Sequence, residues 1–159
     1  MRLLRGESGA QRLGWSIAGA GDLDGDGYSD LLATSLRPGS TDVAVEARVY
    51  RGSADGLLGT AAVVIEAGTN SDTEGARVAG IGDVNDDGRP DFAVGLPNES
   101  NDVPGEVRVY LGSDGPLAAP VLLRGASGQS FGGTVAGAGD VNGSTSAKVG
   151  QFLMGIDMR

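Results

Sequence analysis

The sequence of 159 residues contains neither cysteine nor histidine. Without cysteine, the chain cannot form a disulfide, a zinc–thiolate site or a thiol nucleophile. Without histidine, it lacks the commonest general base and the usual partner of a serine nucleophile, which argues against the chemistry of a hydrolytic triad. We therefore expect a protein that is not itself an enzyme.

Long apolar segments and excess positive charge are also missing. No apolar run approaches the roughly 18 residues of a membrane span, and the first six residues are too short for a signal peptide. Twelve basic residues face 21 acidic ones, and the net charge of −9 repels phosphate backbones. We expect no nucleic-acid partner and no membrane span, and any export signal to lie outside this sequence.

Glycine is abundant, with 29 residues, whereas aromatic residues make up only 4% of the chain. This balance favours short strands and tight turns, because an interior glycine costs a helix about 1 kcal/mol relative to alanine. The length is sufficient for one domain with a core. The composition therefore predicts an all-β fold.

The acidic residues are concentrated in two loops, residues 22–30 (DLDGDGYSD) and 83–91 (DVNDDGRPD), which together hold eight of the 21. Carboxylates crowded into so few residues repel one another unless a cation offsets their charge. The charge is therefore placed rather than spread for solubility, and a divalent cation is its natural counter-ion.

The two loops belong to an internal repeat. Residues 17–22, 78–83 and 135–140 align without gaps at spacings of 61 and 57, and residues 47–53 match residues 107–113 at a spacing of 60. Markers from different parts of the unit thus agree on a period near 60.

Alternating apolar residues and turn residues predict four short strands in each unit, the pattern of a propeller blade. The predicted strands are residues 15–21, 30–35, 44–51 and 62–66, then 77–82, 91–95, 105–111 and 120–124. We expect Trp15 to pack in the core or between blades, and Arg48 and Arg108 to lie on solvated strand faces.

The sequence resembles the FG-GAP repeats of integrin α-subunit β-propellers and their bacterial relatives. The Phe-Gly element is present as Phe131-Gly132 and, altered, as Leu13-Gly14, and the Gly-Ala-Pro element survives as Gly95-Leu96-Pro97. Both acidic loops match the calcium loop of this family, Asp-x-Asp/Asn-x-Asp-Gly-x-x-Asp, at every defined position. The resemblance covers about residues 3–143 and implies four-stranded antiparallel blades of an incomplete β-propeller.

Calcium takes six to eight oxygen ligands, and positions 1, 3 and 5 of such a loop face inward. The predicted metal ligands also include the carbonyl oxygen at position 7 and the acid at position 9. They are Asp22, Asp24, Asp26, Tyr28 and Asp30 in the first loop, and Asp83, Asn85, Asp87, Arg89 and Asp91 in the second. We expect two Ca²⁺ sites per chain, with the second weaker because Asn85 is neutral, and Asp86 to point outward into solvent.

The acidic loops have two other interpretations. An EF-hand needs a glutamate at position 12 and helices on both sides, but position 12 is Ala33 or Val94 and the flanking segments have strand patterns. Alternatively, Asp, Asn and Gly build stable turns without any ion, because Asx side chains bond to their own backbone. Two loops with aligned acids at one period favour calcium.

The third copy of the loop does not complete. Asp140 and Asn142 keep positions 1 and 3, but Ser144 and Lys148 occupy positions 5 and 9, so we expect no calcium there. The chain then divides into a leading strand and linker (residues 1–13), a first blade (14–67), a second blade (68–125), and a partial third repeat with a divergent tail (126–159).

The resemblance implies a calcium-binding, integrin-α-like propeller module with a structural, adhesion or ligand-binding role, extracellular or at the cell surface. We expect homo-oligomers that complete blades between chains, and a protein or carbohydrate ligand. The alternative is a non-catalytic or catalytic part of a secreted calcium-dependent hydrolase, in which acid pairs would act on glycosides.

Overall fold

The computed structural model describes residues 4–6, 12–36, 44–68, 76–98 and 103–139. These residues form eight β-strands: β1 Ile17–Gly21, β2 Asp30–Leu36, β3 Val45–Tyr50, β4 Val63–Gly68, β5 Arg77–Gly82, β6 Asp91–Leu96, β7 Glu106–Tyr110 and β8 Val121–Arg124. The predicted failure of the third loop at residues 140–148 lies outside the described residues.

The strands form two four-stranded antiparallel sheets, each a meander in chain order, β1-β2-β3-β4 and β5-β6-β7-β8. Every predicted strand overlaps an observed one, and no described segment is helical. The all-β fold with four-stranded blades is therefore confirmed, and the two sheets are hereafter called the first and second blade.

Both blades carry the same irregularity at the base of the acidic loop. In the first, Gly19 pairs with Leu31 but Gly21 pairs with Asp30, so one residue of β1 is bulged out. In the second, the corresponding shift falls between Gly80 and Gly82. A bulge increases the local twist and changes the direction of the strand, so the two acidic loops begin in the same direction relative to their blades.

The main core lies between the two blades. Leu32 and Val49 of the first blade and Phe92 and Val94 of the second are almost completely buried in one apolar cluster. The ring of Phe92 stacks on that of Tyr110, with centroids 5.1 Å apart. Removal of this apolar surface from water is the main contribution that holds the blades face to face.

A second apolar cluster covers the opposite face of the second blade. Val107 and Val109 pack there against Phe131 and Val135 of the third repeat. The Phe-Gly element contacts the Gly-Ala-Pro element of the preceding repeat. Gly95 lies so close to Gly132 that a Cβ added to Gly95 would collide with the carbonyl oxygen of Gly132. The two elements that carry the family resemblance thus meet at the junction between repeats.

Two expectations about single residues are wrong. Trp15 is 54% exposed, and only part of its side chain lines a small apolar cavity with Leu36, Val45 and Ala76. Arg48 is only 8% exposed and binds Glu46 Oε2 at 2.8 Å. The equivalent Arg108 is partly buried and donates from Nη1 to the carbonyl oxygen of Glu66 in the first blade at 3.0 Å. Arg48 is bonded to Ser35 and Glu46 of its own blade and Arg108 reaches the first blade, so neither lies on a solvated face.

Candidate metal centre

The first acidic loop brings three predicted ligands together. One carboxylate oxygen from each of Asp22, Asp24 and Asp26 lies within 4.8 Å of the others. The loop is wound around Asp22, whose Oδ1 accepts the backbone N–H of Gly25 at 2.8 Å and whose Oδ2 accepts that of Gly27 at 2.7 Å. The conformation of the loop therefore directs three acidic side chains toward one point.

The second loop repeats this hydrogen-bond pattern. Asp83 Oδ1 accepts the N–H of Asp86 at 2.7 Å, and its Oδ2 accepts that of Gly88 at 2.7 Å. Asp87 Oδ1 accepts the N–H of Arg89 at 2.9 Å, as Asp26 Oδ1 accepts that of Tyr28 at 2.9 Å. Two segments of different sequence therefore adopt one conformation.

The acid at position 9 joins each loop to the rest of its blade. Asp30 is 3% exposed and accepts the N–H groups of Leu23 at 3.0 Å and Gly52 at 2.8 Å. Asp91 is 0% exposed and bonds in the same way to Val84 at 2.7 Å and Gly112 at 2.8 Å. Each carboxylate oxygen keeps a second lone pair, so these hydrogen bonds are compatible with metal ligation.

The electrostatics of the acids differ with their place in the loop. Partial desolvation raises the pKa of Asp22, but the three backbone N–H groups that it accepts outweigh this and hold the pKa below its usual value. Burial raises the pKa of Asp30 and of Asp91, and their backbone hydrogen bonds offset this only in part. Neighbouring carboxylates raise these two pKa values further, and a cation would relieve this repulsion.

The remaining predicted residues lie at the rim of the loops. Tyr28 is 44% exposed, and the side chain of Arg89 pairs with Asp114, with Nη1 3.4 Å from Oδ1. The ligation by the carbonyl oxygens of these two residues stays a prediction. Asp86 is exposed, as predicted, in a left-handed conformation at φ 64°.

Gly27 provides a test of the loop conformation. Its φ is +92°, and in the part of the chain that the structure describes no atom lies within 4 Å of the position of an added Cβ. Gly27→Ala should therefore lower the free energy of unfolding by about 1–2 kcal/mol through backbone strain alone. The matched variant is Gly59→Ala, which meets equally open space without a positive φ and should change it by less than about 0.5 kcal/mol. Urea unfolding in chelator measures both, and equal losses would contradict the loop conformation.

The donor set fits a hard cation. The side chains that converge offer carboxylate and amide oxygens, the ligands that calcium takes in flexible loops. Asx turns alone also account for the contacts of the loop, since Asp22, Asp24 and Asp26 each accept backbone N–H groups. The four carboxylates of the first loop are nevertheless the kind of oxygen ligand that calcium takes, so the residues present fit this ion.

One residue near the first loop was missed by the sequence analysis. Arg51 Nη1 lies 2.6 Å from Asp24 Oδ2, and the Asp24 side chain keeps only 6% of its accessible surface. The two residues are 27 positions apart, so only the pairing of the strands shows that they meet. The signal in the sequence was a paired difference between the repeats, since Asn85 and Leu111 occupy the equivalent positions.

Comparison with known proteins identifies the repeat. A family model described as FG-GAP-like repeat matches residues 22–94, which include both acidic loops. Human integrin alpha-7 is 33% identical over 148 residues, which are 89% of this chain and 12% of that protein. Integrin alpha-PS2 of Drosophila melanogaster is 32% identical over 162 residues, 89% of this chain and 11% of that protein. Integrin alpha-4 of Xenopus laevis is 31% identical over 135 residues, 79% and 12% respectively.

The chain spans about a tenth of the length of the curated relatives that it matches. Within the residues that the structure describes, there is no helix with the length and apolar character needed to cross a membrane.

Proposed function

Because the chain is an FG-GAP repeat protein that resembles integrin α subunits, we propose that it is a calcium-binding propeller module whose ions stabilise the blades. The observation that carries this proposal is the identical hydrogen-bond pattern of the two acidic loops around Asp22 and Asp83. In the first loop one oxygen from each of Asp22, Asp24 and Asp26 lies within 4.8 Å of the others, and a cation would offset the repulsion between them.

The ligands would come from each loop and from the strand that follows it. Asp22, Asp24 and Asp26 would hold the first ion together with Asp30 and the carbonyl oxygen of Tyr28. Asp30 also accepts the N–H of Gly52, which directly follows β3. A bound cation would offset the negative charge of these ligands. Because Asp30 also accepts the N–H of Gly52, the ion would thereby tie the β1–β2 hairpin to the end of β3.

Isothermal titration calorimetry tests this proposal. We expect saturable binding of two calcium ions per chain, whatever the sign of the heat. Both binding events should be lost in an Asp24→Ala/Asp87→Ala variant, because each substitution removes an inward ligand. Circular dichroism in chelator shows whether the variant remains folded. An unmodified chain that takes up no calcium, or a folded double variant that still binds two ions tightly, would refute the assignment.

We further propose a role in adhesion or ligand binding outside the cytosol, where calcium is plentiful. This rests on the integrin α relatives and on the loops that propellers use for recognition, so a protein or carbohydrate ligand is the expected partner. Arrays of extracellular-matrix proteins and glycans, probed with the calcium-loaded chain, test this role. Retention that chelator abolishes is expected, and no retention on either array would contradict it.

Association of two copies is also proposed, through the open side of β1. Gly80 lies against the carbonyl oxygen of Gly19 in the first blade. In the same way, a Cβ built on Gly137 would lie 2.7 Å from the carbonyl oxygen of Gly80. The matching position at Gly19 is open, and Ile17 beside it is 65% exposed. A blade of a second copy would cover this face of β1, as the second blade covers the opposite face of the first blade.

Light scattering at micromolar concentration in calcium tests the association. We expect a mass above that of one chain, reduced to one chain by Gly19→Leu, whose side chain would fill the open position. A stable monomer of the unmodified protein would overturn the proposed association.

A further inference from the structure

Arg51 and Leu111 occupy equivalent places in the two blades. Each directly precedes a glycine, Gly52 or Gly112, whose N–H donates to the buried position-9 acid at 2.8 Å. Arg51 reaches the acidic loop of its blade, whereas Leu111 packs against the apolar cluster on the other face of the second blade. The same backbone position therefore delivers a cation to the acidic loop in the first blade and a hydrocarbon side chain to the apolar cluster in the second.

The difference at this position matches the difference at position 3 of the loop. Asp24 in the first loop is charged and is paired with Arg51 at 2.6 Å. Its counterpart Asn85 is neutral, and its Nδ2 donates to Asp87 Oδ2 at 2.7 Å. The chain thus combines an acid with a cation in one repeat and an amide with a leucine in the other.

The inward-facing atoms of position 3 are nevertheless alike. Asp24 Oδ1 accepts the N–H of Asp26 at 3.2 Å, and Asn85 Oδ1 accepts that of Asp87 at 3.3 Å. The second atom of each side chain points elsewhere, Asp24 Oδ2 to Arg51 and Asn85 Nδ2 to the neighbouring carboxylate. Both loops therefore offer one position-3 oxygen in the same place.

We infer that Arg51 sets the calcium affinity of the first loop by neutralising Asp24, so that both loops present the same net charge to an ion. The first loop has four carboxylates and one resident guanidinium, and the second has three carboxylates at the corresponding positions. Because the guanidinium attracts the same carboxylate that would ligate calcium, it weakens calcium binding there. This inference rests on the proposed calcium function, and it removes the basis for expecting a weaker second site.

Arg89 does not supply the same charge. Its guanidinium lies near the first loop, with Nε 3.6 Å from a Cβ built on Gly25, but it is paired with Asp114, which holds its charge at the rim. Arg51 pairs with an acid of the loop itself. Arg51 is therefore the residue whose removal changes the charge on a predicted ligand.

Titration calorimetry with calcium chloride tests the inference, in an Asp87→Ala background that disables the second loop. Arg51→Leu should tighten calcium binding at the first loop by about tenfold, because it removes a like charge a few ångströms from the ion. Arg51→Gln should do the same if the leucine variant does not fold, whereas Arg51→Lys, which keeps the charge, should stay within about threefold of the parent.

The double variant Asp24→Asn/Arg51→Leu recreates the pair found in the second blade. It should return the affinity to within about threefold of the parent, because acid and cation are removed together. Arg124→Leu is the matched control, since Arg124 is 62% exposed and pairs with Glu106 at the end of the blade away from the loop. This control removes the same charge and should change the affinity by less than about twofold.

The outcomes separate the inference from the function on which it rests. If the parent binds calcium and neither Arg51→Leu nor Arg51→Gln tightens binding, or if the double variant binds as tightly as Arg51→Leu, the inference is overturned and the calcium function stands. If the unmodified chain with both loops intact shows no calcium binding, the proposed function fails and the inference with it.

Discussion

Asp91→Ala should lower the free energy of unfolding by about 3–5 kcal/mol in chelator, where no ion contributes. Asp91 is completely buried and accepts the N–H groups of Val84 and Gly112. Alanine would leave both donors without an acceptor, and each buried unsatisfied donor costs about 1–3 kcal/mol. Chemical denaturation in chelator measures this loss, which needs no ion because the hydrogen bonds are internal to the blade. In calcium the loss should be larger, because Asp91 is also a predicted ligand of the second ion.

Asp86→Asn is the matched control in the same loop. Asp86 is exposed and left-handed at φ 64°, a conformation that asparagine tolerates well. The substitution should change the free energy of unfolding by less than about 0.5 kcal/mol. If Asp91→Ala cost no more than Asp86→Asn, the position-9 acid would not join the loop to its blade as described.

Gly80→Ala should also be damaging, with a loss of about 1–3 kcal/mol or more. A Cβ at this position would collide with the carbonyl oxygen of Gly19 and lie 3.2 Å from the Cα of Ala20. These neighbours are backbone atoms of the adjacent blade, which move only if the blades separate, and overpacking of this kind costs about 1–3 kcal/mol or more. Thermal and chemical unfolding measure the effect.

Gly19→Ala makes the same chemical change at the equivalent place in the first blade. Among the described residues no atom lies within 4 Å of the added Cβ there, so we expect a change below about 0.5 kcal/mol. Both proteins should be compared at a concentration where light scattering shows a single chain, since Gly19 lies on the proposed association face. Equal losses at the two glycines would show that close contact between inner strands is not what Gly80 provides.

The sequence predicted the strands and loops because the repeat showed each one twice. A turn residue at one position is weak evidence, but Gly and Asp aligned at a period near 60 mark the same hairpin in both blades, and all eight strands were found. The convergence of Asp22, Asp24 and Asp26 also followed from spacing, because alternate residues of a tight turn face inward.

Side-chain contacts were not predictable in the same way. Arg48 follows the polar side of an alternating strand, which normally indicates solvent, but its side chain is buried and donates hydrogen bonds to Ser35 and Glu46. The pair of Asp24 and Arg51 depends on how the end of β3 returns to the loop, and no local pattern encodes that distance. Position-9 acids were predicted as ligands, and the structure adds their hydrogen bonds to backbone amides.

The melting temperature with and without calcium tests the central claim most directly. Two sites, each with calcium at about 100 times its dissociation constant, would add about 5 kcal/mol of stability, which corresponds to about 10–20 °C for a domain of this size. We expect this rise for the unmodified chain and its absence in Asp24→Ala/Asp87→Ala. An unmodified chain that melts at the same temperature in calcium and in chelator would contradict the account.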